Sequence, residues 1–426
     1  MLKAKSPDAK PRATEMDLSA RKSPIKLGLL SWADPGDTKA WSGTLSFMHQ
    51  ALREQFENVV HLGPITGFGV LRLERVFDKV SRLTSGRRAG LRFRTLSSKL
   101  LSGHARRKLE RLDLDVILAP AASAEIAYLE TPTPICYLSD TSFAQISEYY
   151  PAFINLSPRV RQQGELIESR AIRKAAAVVY PSEWAADFAC ERYGVSREKV
   201  QVVPFGANLR HAPAEIDFRH RGPEEPFNLL FLGVSWERKG GPIALEAIEM
   251  LRERGYNVKL LVCGCRAPLS HPCIEEVPFV DKSNPADVER LDALMRRSHM
   301  VFLPTRAEAF GIAFCEASAY GLPSLTTATG GTTSVVKDGV NGFALPPTAG
   351  AASYADVIGR IIDSPAEYER LCLTSRERYE RELNWNSWAA QLRTILESLG
   401  GSSAADPGSG ARLATGARDR LTVVDR

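Results

Sequence analysis

The sequence predicts an α/β protein built from two doubly wound domains with a central cleft between them. Short β-branched and apolar runs alternate with helical patterns along most of the chain, which is typical of parallel sheets that helices cover on both faces. The alternation stops once, in a charged, proline-containing stretch without a period, and then begins again. Paired domains of this kind bind ligands in the cleft between them.

The predicted elements divide the chain into two halves. The runs predicted as strands begin at Ile25, Asn58, Asp115, Pro134, Ala177 and Lys199 in the first half, and at Asn228, Asn257, His299, Pro323 and Gly342 in the second. We therefore predict a first domain over residues 24–205, a linker over 206–225 and a second domain over 226–384.

The segments outside these domains differ in character. Residues 385–398 are predicted to form a helix, and Trp385 and Trp388 suggest that it packs back on the first domain. Residues 1–23 and 399–426 are expected to be disordered tails. The second of these tails is rich in Gly, Ser and Ala and has no helical or strand period.

The composition is that of a soluble globular protein. Of the 426 residues, 44% are hydrophobic and 25% are charged, which excludes collagen-like, largely disordered and membrane-embedded classes. No apolar run reaches the roughly 18 residues of a membrane-spanning helix. The charged start of the chain lacks the apolar core of a secretory signal. We therefore expect a cytoplasmic protein.

The seven cysteines, an odd number, argue against a disulfide scaffold. Cys263, Cys265 and Cys273 form the one cluster, and His271 could supply a fourth metal ligand. Because Cys-x-Cys is not the usual zinc spacing, we favour reduced cysteines at a strand end and no metal site.

The charge is unevenly distributed, although the net charge of +5 is too small to imply nucleic-acid binding. Thirteen Lys and Arg residues lie within 72–111 against three acidic residues. Two interpretations are open. In the first, the apolar helical positions pack on the first sheet and leave the cations solvated. In the second, these helices rest on an anionic membrane or an anionic acceptor. The apolar positions are Leu73, Val76, Phe77, Val80 and Leu83, followed by Phe93, Leu96, Leu100 and Leu101.

The most informative motif is EAFGIAFCE, which begins at Glu308 and ends at Glu316. A helix is predicted to begin near Phe310, so its N-terminal N–H groups could receive a phosphate. Gly311 would let a ligand approach the backbone closely. The two carboxylates are about 12 Å apart along a helix, which is too far for an acid–base pair acting on one bond. The spacing suits a long polyhydroxylated ligand with central phosphates, such as a nucleotide sugar.

Two further loops support this interpretation. Gly233, Arg238 and Lys239 follow a strand and precede a helix, and both cations can bind phosphate oxygens. A glycine-rich turn around Gly330 and Gly331 follows another strand of the same half. Each loop alone could be an ordinary cap or a solvated charge. Their coincidence at the carboxyl ends of strands favours a ligand site.

These three motifs resemble the donor-binding half of retaining glycosyltransferases of family 4, which have the GT-B fold of two Rossmann-like domains. The resemblance is close over residues 228–345 and extends in organisation over 24–398. It implies that Glu308 contacts the donor sugar, that Glu316 binds the ribose hydroxyls, and that Arg238 and Lys239 hold the diphosphate. It also implies that the backbone at Phe310, Gly311 and Ile312 touches sugar and phosphate. Residues 279–281 are expected to face the base.

The first half matches the family more loosely. Ser42, Gly43 and Thr44 resemble its glycine-rich loop near the phosphate and acceptor, without the common double glycine. A His-Asp pair that often faces the reaction centre corresponds here to Ser139 and Asp140. Asp140 is therefore predicted to be catalytic. The alternative is that Asp140 caps a helix beginning near Ser142.

The resemblance implies transfer of a sugar, with retention, from a UDP- or GDP-sugar to an acceptor hydroxyl in glycan, glycolipid or polysaccharide synthesis. No cofactor or metal is expected, because Arg238 and Lys239 would neutralise the diphosphate. The expected partners are the nucleotide sugar and a glycan, lipid or lipid-linked acceptor, but no nucleic acid. The alternatives are a sugar-nucleotide epimerase of the same architecture, which would need acid–base groups in the cleft, and a non-catalytic sugar-binding protein.

Overall fold

The computed structural model describes residues 21–65, 79, 81, 90–150, 153, 155–216 and 225–403. Within them, two six-stranded sheets form the cores of two α/β domains. Neighbouring strands are parallel in both sheets, as the continuous apolar runs predict. The predicted class, two Rossmann-like doubly wound domains, is confirmed.

The first domain has the strand order β2-β1-β3-β4-β5-β6. Its central strands are buried along their whole length because helices cover both faces of the sheet. The described elements are β1 (Ser23–Leu29), α1 (Thr44–Gln55), β2 (Phe56–His61), α2 (Thr95–Leu109), β3 (Val116–Pro120), α3 (Ser123–Ile126), β4 (Ile135–Leu138), α4 (Phe143–Tyr149), α5 (Pro158–Lys174), β5 (Ala177–Tyr180), α6 (Glu183–Tyr193) and β6 (Val200–Val202).

The second domain has the order β12-β11-β10-β7-β8-β9. Strands β8 and β9 are added on one side of β7, and strands β10 to β12 on the other. The point between β7 and β10 is therefore a switch point, which is where doubly wound sheets bind ligands. The described elements are β7 (Phe227–Leu232), α7 (Gly241–Glu253), β8 (Val258–Cys263), β9 (Ile274–Val277), α8 (Pro285–Arg296), β10 (Met300–Leu303), α9 (Ile312–Ala319), β11 (Ser324–Thr327), α10 (Thr332–Val335), β12 (Gly342–Leu345), α11 (Ala351–Asp363), α12 (Pro365–Arg381) and α13 (Trp385–Ser403).

Strand β9 is absent from the sequence-based prediction. Its sequence, IEEV, has two adjacent glutamates and no continuous apolar run. It lies at the edge of the sheet and is only partly buried. An edge strand tolerates this polarity, so the pattern that identifies the buried strands does not identify β9.

Two predicted boundaries are corrected by the structure. Ser23, assigned to the N-terminal tail, already pairs with Phe56 as the first residue of β1. Helix α13 runs beyond residue 398 to Ser403. It continues because the buried positions Trp388, Leu392 and Leu396 recur every four residues through Gly400. The remaining tail residues, 1–20 and 404–426, lie outside the described residues.

Helix α13 follows the second domain in sequence but packs on the first domain. It packs on α1, β1 and β3, so it crosses back over the linker as the two tryptophans suggest. The described part of that linker, 206–216, contains no helix or strand. Among the described residues, no helix combines the length and apolar character needed to cross a bilayer.

We expect Trp388→Ala to destabilise the protein strongly, because Trp388 is fully buried. Removing a buried tryptophan costs about 3–5 kcal/mol, or about 10 °C in Tm for a domain of this size. Differential scanning calorimetry measures the shift. Leu373→Ala, at an exposed position on α12, is the control. A loss for Trp388→Ala no greater than that of the control would contradict this role for α13.

Candidate functional site

A cavity of about 620 Å³ lies between the two domains, at the carboxyl ends of β7 and β10. Its volume falls within the range of small-molecule sites. Most of the predicted site residues line it. These are Ser42, Thr44, Asp140, Gly233, Arg238, Lys239, Glu308, Phe310, Gly311, Ile312 and Glu316.

The loops that follow β7 and β10 place two cations beside one carboxylate. Lys239 Nζ donates to Glu308 Oε2, and Arg238 Nη1 lies 3.7 Å from the same oxygen. Arg238 Nη1 also donates to the carbonyl of Ala307 at 2.8 Å. The three charged side chains are at most 18% exposed. Among the described residues, Glu308 is the one carboxylate in ion-pair contact with these two cations, and both cations can also bind an anion.

Glu316 belongs to a different part of the cavity. It lies within α9 and is almost fully buried, and its Oε1 accepts a hydrogen bond from Lys282 Nζ. Lys282 follows residues 279–281, which also line the cavity. The two glutamates thus have separate cationic partners in different parts of the cavity.

The start of α9 faces the cavity between these two groups. Gly311 has a φ of 107° and precedes the first helical residue, a conformation that side-chain-bearing residues rarely adopt. The N–H groups of the first helical turn have no partner within the helix, and Ile312 and Ala313 line the cavity. The helix begins two residues later than predicted, because residues 310 and 311 form the turn into it.

Asp140 faces this group from the first domain. Its Oδ2 accepts a hydrogen bond from Trp41 Nε1 at 3.1 Å. Burial raises the pKa of the Asp140 carboxyl to about 6, despite the opposing effect of the Trp41 hydrogen bond. Asp140 does not cap α4. That role belongs to Ser142, which forms a capping box with Gln145.

The loop before α1 has a strained backbone. Trp41 and Ser42 both adopt left-handed conformations, with φ of 51° and 57°, which cost about 1–3 kcal/mol per non-glycine residue. Asn208 Nδ2 holds the loop by donating to the carbonyl of Ser42 at 3.0 Å and to Thr44 Oγ1 at 3.2 Å. Trp385 Nε1 in turn donates to Asn208 Oδ1 at 3.1 Å. The strain is thus maintained by contacts from the linker and from α13.

Two predicted site residues do not line the cavity. Ser139 is buried, and its hydroxyl donates to the carbonyl of Thr141 at 2.8 Å. Its side chain therefore stabilises the turn after β4 and cannot contact a ligand in the cavity, which corrects its predicted position. Gly43 lies directly before α1 with a φ of 86° and is buried outside the cavity lining.

The glycine-rich turn after β11 also differs from its predicted role. Gly330 and Gly331 lie behind Glu308, outside the cavity lining. A Cβ on Gly330 would lie 2.0 Å from the carbonyl oxygen of Glu308, and one on Gly331 would lie 2.1 Å from that of Ala309. The glycines are required by close backbone packing, which explains the motif without a ligand.

The structure adds cavity residues that sequence reasoning missed. Lys282 could have been identified from the sequence, because it directly follows the segment expected to face the base. Asn208 and Tyr150 could not, since a single polar residue in the linker and a tyrosine after a short helix are ordinary features. All three reach the cavity through tertiary contacts.

The seven cysteines form no disulfide. Across the ranges that the structure describes, no group of three or more His, Cys, Asp or Glu residues is arranged to hold a metal ion. His271 instead contacts Glu249, with Nε2 3.3 Å from Oε1.

Two family models match consecutive parts of the chain. The model described as Glycosyltransferase Family 4 matches residues 57–211, and the model described as Glycosyl transferases group 1 matches residues 214–378. Their boundary falls in the linker, so each model covers most of one domain. The chain belongs to the group 1 glycosyltransferases.

Curated relatives share moderate sequence identity. The chain is 28% identical over 255 residues to a D-inositol 3-phosphate glycosyltransferase of Xylanimonas cellulosilytica, over 55% of this chain and 60% of the relative. It is 25% identical over 248 residues to a glycogen synthase of Mycobacterium tuberculosis, over 56% of this chain and 58% of the relative. The chain thus spans less than two thirds of these relatives.

Solved structures show the same GT-B fold. The sucrose-phosphate synthase of Thermosynechococcus elongatus superposes with a TM-score of 0.61 at 16% identity, covering 88% of this chain and 100% of that one. The lipopolysaccharide outer core galactosyltransferase WaaB gives 0.60 at 12% identity with the same coverage. At these identities the likeness establishes the architecture.

We expect Asp140→Asn to raise Tm by a few degrees at pH 7.5, because the raised pKa means that folding disfavours the carboxylate. The loss of folding stability that the ionised Asp140 causes in the wild type is complete above about pH 6. It fades as the pH falls from 6 toward the ordinary aspartate value near 4, where the folded wild type is protonated. Thermal unfolding between pH 4 and 8 measures the difference. A difference in Tm between Asp140→Asn and wild type that stays constant over this range would contradict the raised pKa of Asp140.

Proposed function

We propose that this protein transfers a sugar from a nucleotide diphosphate sugar to an acceptor hydroxyl. The observation that carries the proposal is the buried pair Arg238 and Lys239 beside Glu308, at the switch point of the second domain. Both cations contact the same carboxylate, and both can bind the oxygens of a diphosphate. Family membership supports this assignment.

The donor is proposed to lie along the cavity from Glu308 to Glu316. The sugar contacts Glu308, the diphosphate contacts Arg238, Lys239 and the start of α9, and the ribose hydroxyls contact Glu316. The base then lies near residues 279–281 and Lys282, which complete that end of the cavity. On entry of the donor, Lys239 can exchange part of its contact with Glu308 for a phosphate oxygen.

Catalysis is proposed to come from positioning and charge. Arg238 and Lys239 stabilise the diphosphate as it departs, and closure of the cleft orients donor and acceptor and excludes water. These cations make a metal unnecessary in the proposed reaction. Retention of configuration is part of the proposal and rests on the family resemblance.

Asp140 and the loop at Ser42 and Thr44 are proposed to form the acceptor side of the reaction centre. Asp140 is held by Trp41 across from Glu308 and lines the cavity. Its position away from the nucleotide end suggests that Asp140→Asn affects turnover more than nucleotide affinity. The named relatives act with acceptors as different as an inositol phosphate and glycogen, so both belong in an acceptor screen.

The epimerase alternative is less well supported by the site. The described residues that line the cavity include no histidine. Glu308 and Glu316 each contact a lysine, and Asp281 contacts Lys39. Among these described lining residues, Asp140 therefore has no second carboxylate or histidine without a cationic partner to act with. A non-catalytic binding protein would use the same donor contacts without turnover. Product release from a panel of UDP- and GDP-sugars separates these alternatives.

We also propose that the first domain contacts an anionic membrane through α2. Leu96 and Leu100 are 71% and 43% exposed and lie one turn apart on this helix, so the structure does not pack them on the sheet. Lys99 and Arg107 lie on the same helical face and are exposed. A surface of exposed leucines and cations suits a lipid headgroup layer. The stripe from Leu73 to Leu83 lies outside the described residues.

We expect Arg238→Ala and Lys239→Ala each to lower kcat/KM, because each removes a preorganised charge beside the diphosphate. The expected loss of transition-state stabilisation is about 2–4 kcal/mol. Glu316→Ala should mainly weaken binding of free UDP or GDP, by about tenfold or more. Initial rates and isothermal titration calorimetry measure the two effects.

The matched controls are Arg254→Ala and Lys259→Ala, which remove an exposed and a half-buried cation of the same domain, each in an ion pair outside the cavity. Both should retain wild-type rates. Turnover within a few-fold of wild type for both Arg238→Ala and Lys239→Ala would show that the diphosphate site is misassigned.

We expect the protein to sediment with anionic vesicles at low salt and less so at high salt, because each cation near the surface contributes about 1 kcal/mol. The double variant Leu96→Ser/Leu100→Ser should bind more weakly. Leu373→Ser, at an exposed position of the second domain, is the control. Equal binding to neutral vesicles, or binding that salt does not change, would assign the cations to an ordinary solvated surface.

A further inference from the structure

Two adjacent tyrosines of the first domain bind the backbone of the Glu308 loop. Tyr149 Oη accepts a hydrogen bond from the N–H of Glu308 at 3.0 Å, and Tyr150 Oη accepts one from the N–H of Ala309 at 2.9 Å. Tyr149 Oη also lies 2.7 Å from Thr329 Oγ1 in the turn behind the loop. Two consecutive peptide N–H groups of one domain are thus held by two consecutive side chains of the other.

The tyrosines are rigidly presented by their own domain. Helix α4 begins at the capping box of Ser142 and Gln145, and Gln145 Nε2 donates to the carbonyl of Trp184 at 3.2 Å. The Tyr149 ring packs against that of Trp184, with centroids 5.3 Å apart, and edge-on against Tyr150 at 5.6 Å. These ring contacts fix the direction of the Tyr149 side chain and thereby the position of its hydroxyl.

Tyr150 also contacts a cation of the proposed donor site. The Arg238 guanidinium carbon lies 5.2 Å from the centre of the Tyr150 ring, within the range of a cation–π interaction. Tyr150 itself lines the cavity. One side chain of the first domain thus touches both Arg238 and the backbone next to Glu308.

The turn behind the loop completes this arrangement. The N–H of Gly331 donates to the carbonyl of Glu308 at 3.2 Å. Both main-chain polar groups of Glu308 therefore have hydrogen-bond partners. A Cβ on Gly330 would lie 2.7 Å from Tyr149 Oη and would force the tyrosine away. The paired glycines therefore allow the first domain to reach the loop.

We infer that Tyr149 and Tyr150 are positioning residues for sugar transfer, through which the first domain fixes the Glu308 loop and Arg238 in their working geometry. The donor contacts of the second domain then reach this geometry only when the two domains are closed on each other. This role rests on the proposed function, whereas the hydrogen bonds that produce it do not. The two parts can therefore be tested separately.

The first test needs no substrate. Hydrogen–deuterium exchange of the amides of Glu308 and Ala309 should be at least tenfold faster in Tyr149→Phe/Tyr150→Phe than in wild type, because phenylalanine keeps the rings but removes both acceptors. Tyr256→Phe is the matched control, since Tyr256 donates to Asp363 at an exposed site of the second domain. Unchanged exchange, or equal acceleration in the control, would overturn the inference.

The second test uses the donor sugar found in the panel. Tyr150→Phe and Tyr149→Phe should each lower kcat by about 2- to 10-fold, the effect of one neutral hydrogen bond. The Kd for free UDP or GDP should stay within twofold of wild type, because Glu316 and Lys282 still hold the nucleoside. A structural defect would instead lower Tm and nucleotide affinity together.

The outcomes separate the two proposals. Fast exchange with reduced kcat and unchanged Kd supports the positioning role. Fast exchange with unchanged kcat overturns the positioning role and leaves sugar transfer intact. If wild type transfers no sugar from any donor of the panel, the proposed function fails and the positioning role for transfer falls with it, while the exchange result still decides whether the tyrosines hold the loop.

Discussion

The buried side chain of Asn208 is the contact on which the arrangement of the cleft depends. Its amide nitrogen holds the loop before α1, and its amide oxygen receives the indole N–H of Trp385. Its main-chain carbonyl lies 3.4 Å from Lys282 Nζ, the partner of Glu316. Because Asn208 is only 2% exposed, water cannot replace these partners without opening the structure. One linker residue therefore connects the loop before α1, the Lys282–Glu316 part of the cavity and the C-terminal helix.

This constraint explains why strain is tolerated beside the cavity. Left-handed Trp41 and Ser42 persist only where surrounding contacts determine the backbone, and here those contacts are Asn208, Asp140 and the edge-on Phe205 ring, 5.8 Å from Trp41. Phe205 also packs on Phe310 and Trp385. An aromatic cluster thus links the loop of the first domain, the start of α9 and α13. Movement of one domain relative to the other would disturb all three.

The buried strands and the donor-side charges could be predicted from sequence because their signals are local. A continuous apolar run identifies a buried strand such as β3, and a loop between strand and helix identifies Arg238, Lys239 and Glu308 as cleft residues. Strand β9 lacked such a run. Ser139 was misplaced because sequence alone does not show that its hydroxyl bonds to the carbonyl of Thr141. Tyr150 and Asn208 acquire their roles from residues more than a hundred positions away, and a single sequence carries no sign of such contacts.

The buried carboxylates at the two ends of the cleft are each paired with a lysine of their own. Lys239 is paired with Glu308 and Lys282 with Glu316, so the buried carboxylates do not depend on a ligand to offset their desolvation. Arg238 instead shares Glu308 with Lys239 and is held by the carbonyl of Ala307 and the ring of Tyr150. It is therefore the cation with the least anionic compensation, and it lies where both domains meet. Among the described cavity cations, Arg238 thus combines the longest ion pair with a contact to the ring of Tyr150, so its surroundings depend on how the two domains meet.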